Sequence, residues 1–260
     1  MYVDHREIPS KGYFWGLAIN LGITCWNAGF VLSAAGINQS LDAQEGWGDR
    51  ENFNNTALSS IAVLGLTLGS MFSKPILQGL GRRKSILLSN VLIVLITIPV
   101  WFTINGWVLG SSRFILGFIS GLQINGCALT IGESVPTEYQ SNVGTCINNG
   151  IVTGIFIMNV WNLLLPYNDL EASKNDNLWR VSLSLQLSSV IITTPLWLFI
   201  YKNEPMRFLI SKAEKNGMNS SAYTEAKRVI GENYGLASGD QGLMDAYSGV
   251  CQAIQSEAGD

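Results

Sequence analysis

Charge is what this sequence has least of. Asp, Glu, Lys and Arg make up 13% of its 260 residues, about half the share of an ordinary soluble domain. The deficit is concentrated. Windows 12–36, 52–73, 85–104, 114–132, 141–166 and 181–201 hold no charged residue at all. Each is near or above the roughly 20 residues that a helix needs to cross a hydrocarbon core of about 30 Å. Six such windows exclude an ordinary soluble fold and make six membrane spans in a lipid bilayer the expectation. Histidine is nearly missing too. His5 stands alone and outside every window, which removes histidine-based zinc chemistry from the membrane. Cys25, Cys127, Cys146 and Cys251 show no Cys-x-x-Cys spacing. Buried free thiols are expected rather than disulfides or metal ligands. The windows lack Asp and Glu, so no catalytic residue and no cofactor are expected there. A net charge of −3 leaves no electrostatic case for a nucleic-acid partner. The start, Met1 to Glu7, is polar with mixed charge, and the first apolar window is too long for a signal peptide. It reads as a span that stays.

What is present organises around 110–166. Two apolar helices flank a polar hinge, 132–140, that carries Glu133 and Glu138. Arg113 lies near the start of this stretch, and the second helix holds Asn148, Asn149 and Asn159. Amides and an arginine at membrane depth need a partner, a cavity or a substrate. Span one, 12–36, carries glycines that suit close helix packing, and Asn27 beside Trp26. Span two is expected over 57–76. A tight basic turn, Gly81-Arg82-Arg83-Lys84, leads into span three, and Asn105-Gly106 reverses the chain. Span six opens at Trp179-Arg180, with a kink expected at Pro195. The domain reading is an arm (1–11), a six-helix bundle (12–201) and a partly helical tail (202–260), with helical spacing at Ala222, Ala226 and Ile230. Composition leaves 231–260 open between disorder and packing.

Twelve of the sixteen basic residues lie in the arm, in 74–84 or after 201. An even span number puts these segments on one side, and their charge makes that side cytoplasmic. Loop 37–56 then faces outward with two glycosylation patterns, at Asn38 and Asn54.

Several motifs carry a resemblance. Gly81 to Lys84, Arg113-Phe114 with Gly117 and Gly121, and Gly132-Glu133-Ser134-Val135-Pro136-Thr137 come first. Gly144-Thr145 with Gly150 to Ile155, Asn177 to Arg180, and Glu204-Pro205-Met206-Arg207-Phe208-Leu209 follow in order. Together they resemble the N-terminal half of a sugar porter of the major facilitator superfamily, of the facilitative glucose-transporter kind. The resemblance implies an all-α membrane bundle that moves a hexose or similar small polar solute by alternating access. The family's sugar-contacting glutamine falls on Asn148, and its apolar contacts on Ile151, Val152 and Ile155. Asn27, an amide beside the aromatic Trp26, is expected to line a polar cavity as a further substrate contact, and it falls where proton-coupled relatives carry an acid. With no acid in any span interior, facilitated diffusion is the expected mode. A charge network of Arg82, Arg83, Arg113, Glu133, Glu204 and Arg207 is expected to gate the cytoplasmic side.

The departures are specific. The family's turn has the form G-x-x-x-D-R-x-G-R-R, but Lys74, Gln78 and Gly79 replace its first Gly, its Asp and its Arg. The hinge continues Tyr139-Gln140-Ser141 where the family has Arg-Gly, and Thr130 stands for a tyrosine. The family has twelve helices, so the sequence reads as one half. The alternatives to a transporter acting with a second half are a transport-inactive accessory subunit of a larger membrane complex and an incomplete chain. The plasma membrane is the expected location, with an organellar membrane, mitochondrial included, as the alternative.

Overall fold

A computed structural model describes residues 11–33, 51–102, 106–135, 137–165, 178–216, 221–234, 247–248 and 251. The helices are α1 (Lys11–Ser33), α2 (Glu51–Leu80), α3 (Arg82–Phe102), α4 (Gly106–Ser134) and α5 (Thr137–Asn162). They are followed by α6 (Leu178–Ser184), α7 (Gln186–Pro195), a π-helical turn (Leu196–Ile200), α8 (Met206–Asn216) and α9 (Ser221–Tyr234). Among the described residues, six stretches are long and apolar enough to cross a bilayer, the last formed by α6, α7 and the π turn together. The protein is an integral multi-pass membrane protein.

At the basic end the helices run past the expected boundaries, into residues expected as turn or hinge. The basic turn shrinks to Gly81, whose φ of 99° is the left-handed conformation that glycine adopts without strain. Arg82 to Lys84 already belong to α3. The hinge over 132–140 is mostly helix, because α4 continues to Ser134 and α5 begins at Thr137. Gln140 Nε2 donates to the carbonyls of Gly132 (3.1 Å) and Val135 (2.9 Å), satisfying orphan acceptors at the end of α4. Asn54, expected in an external loop, lies in the first turn of α2, while Asn38 lies outside the described residues. At Pro195, where a kink is expected, the α-helix gives way to a π turn. Proline lacks an N–H, and in the turn the Tyr201 N–H bonds to the Leu196 carbonyl at 2.9 Å.

The bundle has two layers. A front row runs α2, α4, α1, α5, and α3 and α7 pack behind it. The two outer pairs of the front row are the tightest. A Cβ added at Gly65 or Gly69 would overlap the backbone of Phe114 or Phe118, and one at Gly117 or Gly121 the backbone of Ala62 or Leu66. The α1–α5 pair repeats the device with Gly22 and Gly29 against Gly150, Gly154 and Ile151. Lipid supplies no hydrophobic drive between helices, so this backbone proximity is what holds them. Behind, α3 exposes Leu88, Val91, Leu95 and Ile98, a face fit for acyl chains. Below the bundle, Phe208, Leu209 and Ile210 of α8 pack on Ala226 and Val229 of α9, with Tyr247 and Cys251 against them.

Candidate functional site

Two features stand out, a charge cluster at the basic end and an open polar face on α5. The cluster starts from Gly81. Any Cβ there would sit 2.8 Å from Glu204 Oε1, so the glycine admits the carboxylate. Glu204 is buried and accepts from the backbone N–H groups of Arg83 (3.0 Å) and Lys84 (3.2 Å). It therefore neutralises the positive end of α3 rather than pairing with an arginine side chain there. Arg82 Nη2 meets Glu133 Oε1 at 2.5 Å, while its Nη1 donates to the Leu77 carbonyl at 3.2 Å. Its guanidinium lies 4.1 Å over the Phe208 ring, a cation–π contact. Arg83 Nε donates to the Trp197 carbonyl at 3.1 Å, within the π turn. Arg207 is close enough to act on Glu133 electrostatically. The cluster thus staples α3 to α4, to the π turn and to the first helix below the membrane.

Arg113 is not part of it. It sits 20 residues before Glu133 on α4, a rise of about 30 Å. Its Nη2 donates to the Val31 carbonyl at 2.8 Å. That carbonyl belongs to the last turn of α1, so the guanidinium caps the negative end of that helix.

The open face belongs to α5. Asn148 and Val152 are exposed, and Ile151 and Ile155 are half-buried beside them. Asn27 does not join this face. It is 1% exposed and turned into the bundle. Its Nδ2 donates to Gln123 Oε1 at 3.0 Å, and its Oδ1 accepts from Ser189 Oγ at 2.6 Å. Gln123 Nε2 in turn donates to Asn90 Oδ1 at 3.0 Å. Asn90 Nδ2 donates to Thr193 (3.2 Å) and Thr194 (3.0 Å). This chain ties α1, α4, α3 and α7 together through groups that are otherwise costly at membrane depth. Sequence reasoning missed Gln123 and Asn90. The available signal was an amide inside an uncharged window, but nothing local pairs residues so far apart in the chain. Replacing Gln123 with leucine strands an Asn27 donor and an Asn90 acceptor. Thermal unfolding of the purified protein in detergent is expected to show a loss of about 2 kcal/mol.

These features define a class. The structure of the major facilitator superfamily proton:xylose symporter XylE, bound to 6-bromo-6-deoxy-D-glucose, matches with a TM-score of 0.69 at 15% identity. The match covers 96% of this chain and 55% of that one, so the bundle is one six-helix half of a major facilitator fold. The sugar (and other) transporter family matches residues 17–233, and the chain belongs to that family. It is 31% identical over 172 residues to the facilitated glucose transporter member 1 of Gallus gallus, covering 64% of this chain and 34% of that protein. It is 30% identical over 171 residues to the major myo-inositol transporter IolT of Bacillus subtilis (strain 168), covering 63% and 33%. The matched stretch thus spans about a third of each of these relatives.

Proposed function

We propose that this chain forms one half of a facilitative carrier for a neutral hexose or related polyol. The observation that carries the reading is the open face of α5. It presents an amide, Asn148, and apolar side chains at membrane depth, with no charge beside them. An amide both donates and accepts, which suits hydroxyl groups, and the apolar neighbours suit the C–H faces of a sugar ring. Ile151, Val152 and Ile155 shape that wall, while Asn27 steadies α1, on which α5 packs, through the interior amide chain. The names of the glucose and inositol transporters among its relatives agree with this substrate class. The basic end faces the cytoplasm, by the charge rule, and the plasma membrane is the proposed location. There Arg82, Arg83, Glu133, Glu204 and Arg207 act as the latch that opens in one state and closes in the other. Arg113 serves the same cycle from the opposite end by holding α1.

The test is uptake of labelled glucose and labelled myo-inositol into liposomes holding the purified chain. Saturable uptake that is indifferent to a pH gradient is expected. Asn148→Ala is expected to lower it about tenfold, the equivalent of one lost hydrogen bond of about 1.4 kcal/mol. One observation favours a second reading, that of an accessory subunit. Lys74, Gln78 and Gly79, where the family keeps latch residues, are exposed and stand outside the cluster. No uptake, together with stable co-purification in a larger membrane complex, would decide for it.

A further inference from the structure

Two buried side chains, one on α1 and one in the π turn, carry polar atoms that neither the amide chain nor the charge cluster uses. Asn20 is 0% exposed, and neither its Nδ2 nor its Oδ1 has a hydrogen-bond partner among the described residues. Trp197 is 2% exposed, and its Nε1 has no partner among them either. An unpaired amide or indole N–H is costly in an interior of low dielectric. At membrane depth bulk water is not at hand to relieve it.

Packing sets the two side chains at one level. α1 runs outward from the basic end, and the last span, formed by α6, α7 and the π turn, returns to it. Tyr201 Oη lies 2.7 Å from where a Cβ of Gly16 would stand, so Gly16 and Tyr201 face each other. Asn20 is four residues beyond Gly16, about 6 Å further along α1. Trp197 is four residues before Tyr201, one turn back along the returning span. The Trp197 and Tyr201 rings lie 5.8 Å apart between centroids. Both pack in one cluster with Leu17, Ala18 and Leu21, all within a turn of Asn20. Direction agrees with level. Asn20 and Asn27 are seven residues apart, which turns them by only about 20°. Asn27 accepts from Ser189 of the same span at 2.6 Å, so this face of α1 looks at that span. Between them, Thr24 gives its hydroxyl proton to the Asn20 carbonyl at 2.9 Å, which leaves the Thr24 oxygen able to accept.

The chemistry of this joint selects its ligand. Asn20 offers two donors and an acceptor, Trp197 one donor and Thr24 an acceptor. A buried water takes two to four such partners. Burial of every lining group excludes a larger molecule. An ion would meet no opposite charge, because windows 12–36 and 181–201 hold none. We propose that the joint between α1 and the π turn is an internal water site. Trp197 Nε1 and Asn20 Nδ2 donate to the water oxygen. Asn20 Oδ1 and Thr24 Oγ1 accept protons from it or from a second water beside it. Trp197 is then held at both ends, at its carbonyl by Arg83 (3.1 Å) and at its indole by water. The water thereby ties α1 to the charge cluster. The site stands independently of the carrier reading, and its test involves no sugar.

Pulsed X-ray radiolysis of the purified chain in nanodiscs, read by mass spectrometry, is the experiment. Radicals formed from a bound water oxidise the side chains that touch it, even where bulk solvent does not reach. Trp197 is expected to be oxidised above the unirradiated baseline, and Asn20→Leu is expected to remove that labelling. Trp197 at baseline in the wild type, or equal labelling in the two proteins, would overturn the site. Thermal unfolding gives a second reading, of opposite sign for the two cases. With water bound, Asn20→Leu strands the Trp197 N–H and the melting temperature is expected to fall, with partial recovery in Asn20→Leu/Trp197→Phe. A rise in Asn20→Leu would mean that the amide sits dry, and would overturn the site as well. Should neither variant fold, the wild-type labelling decides by itself.

Discussion

Gly150→Val is expected to leave little folded protein. A Cβ at Gly150 would lie 2.7 Å from the Gly22 carbonyl carbon and 2.9 Å from its Cα, with the carbonyl oxygen nearer still. These are backbone atoms of α1, so no side chain can swing aside. Relief requires α1 and α5 to separate. Leu21, Cys25 and Phe30 of α1 and Ile147 and Met158 of α5, now buried, are drawn from the bundle's interior clusters and would lose their packing. Overpacking an adaptable core costs about 1–3 kcal/mol. The cost is larger where close backbone approach is the main source of helix affinity, as in a bilayer. Fluorescence-detected size exclusion in detergent is the measurement, with loss of the monodisperse peak as the expected result. Gly144→Ala on the same helix is the reference. Nothing lies within 4 Å of a Cβ there, and the peak is expected to survive. Equal behaviour of the two variants would mean that the α1–α5 contact does not hold the bundle.

Arg82→Ala is the second large effect. Arg82 is buried, and its guanidinium makes three contacts, to Glu133, to the Leu77 carbonyl and to the face of Phe208. Its removal strands the Glu133 carboxylate, whose second oxygen already lacks a hydrogen-bond partner among the described residues. Breaking one side of a fully buried pair typically costs about 3–5 kcal/mol; Glu133 is partly buried, so a loss at the low end of that range is expected in thermal unfolding of the purified protein. Arg82→Lys keeps a charge but cannot span three sites with one planar fork, so it is expected to fall between. Phe208→Ala removes only the cation–π contact and some packing, and is expected to cost less than either. A change in Arg82→Ala no larger than in Phe208→Ala would rule out the ion pair as the centre of the cluster.

How much of this was legible beforehand depended on the range of the interaction. The charge cluster was largely readable, because Gly81 to Lys84, Glu133 and Glu204 stand at the ends of uncharged windows, and span ends on one side of a membrane must be neighbours. The partner atoms were not readable. Glu204 binds backbone N–H groups rather than an arginine, and Phe208 joins through its ring. Both depend on where α8 lands under α3. Arg113 was misplaced for a simpler reason. It shares a helix with Glu133, but a helix separates its two ends by the thickness of the membrane. Asn27 was aligned with the substrate face because an amide beside an aromatic suits a polar cavity and because of its place in the resemblance. Its rotation about α1 was decided by Ser189 and Gln123, residues distant in sequence.

By itself the sequence determined the solvent. Six windows without charge can be stable only where backbone groups close their own hydrogen bonds, which means helices in a bilayer. It also determined the family, through short motifs that stay local when the chain folds. The tertiary structure alone decided which helix faces look inward. The α1–α5 and α2–α4 pairs meet wherever glycines let backbones touch, and the interior amide chain forms wherever four helices bring donors and acceptors to one level. Both depend on rotation about each helix axis, a single angle that local residue patterns constrain weakly when polar and apolar residues are spread around the whole helix, as they are on α1.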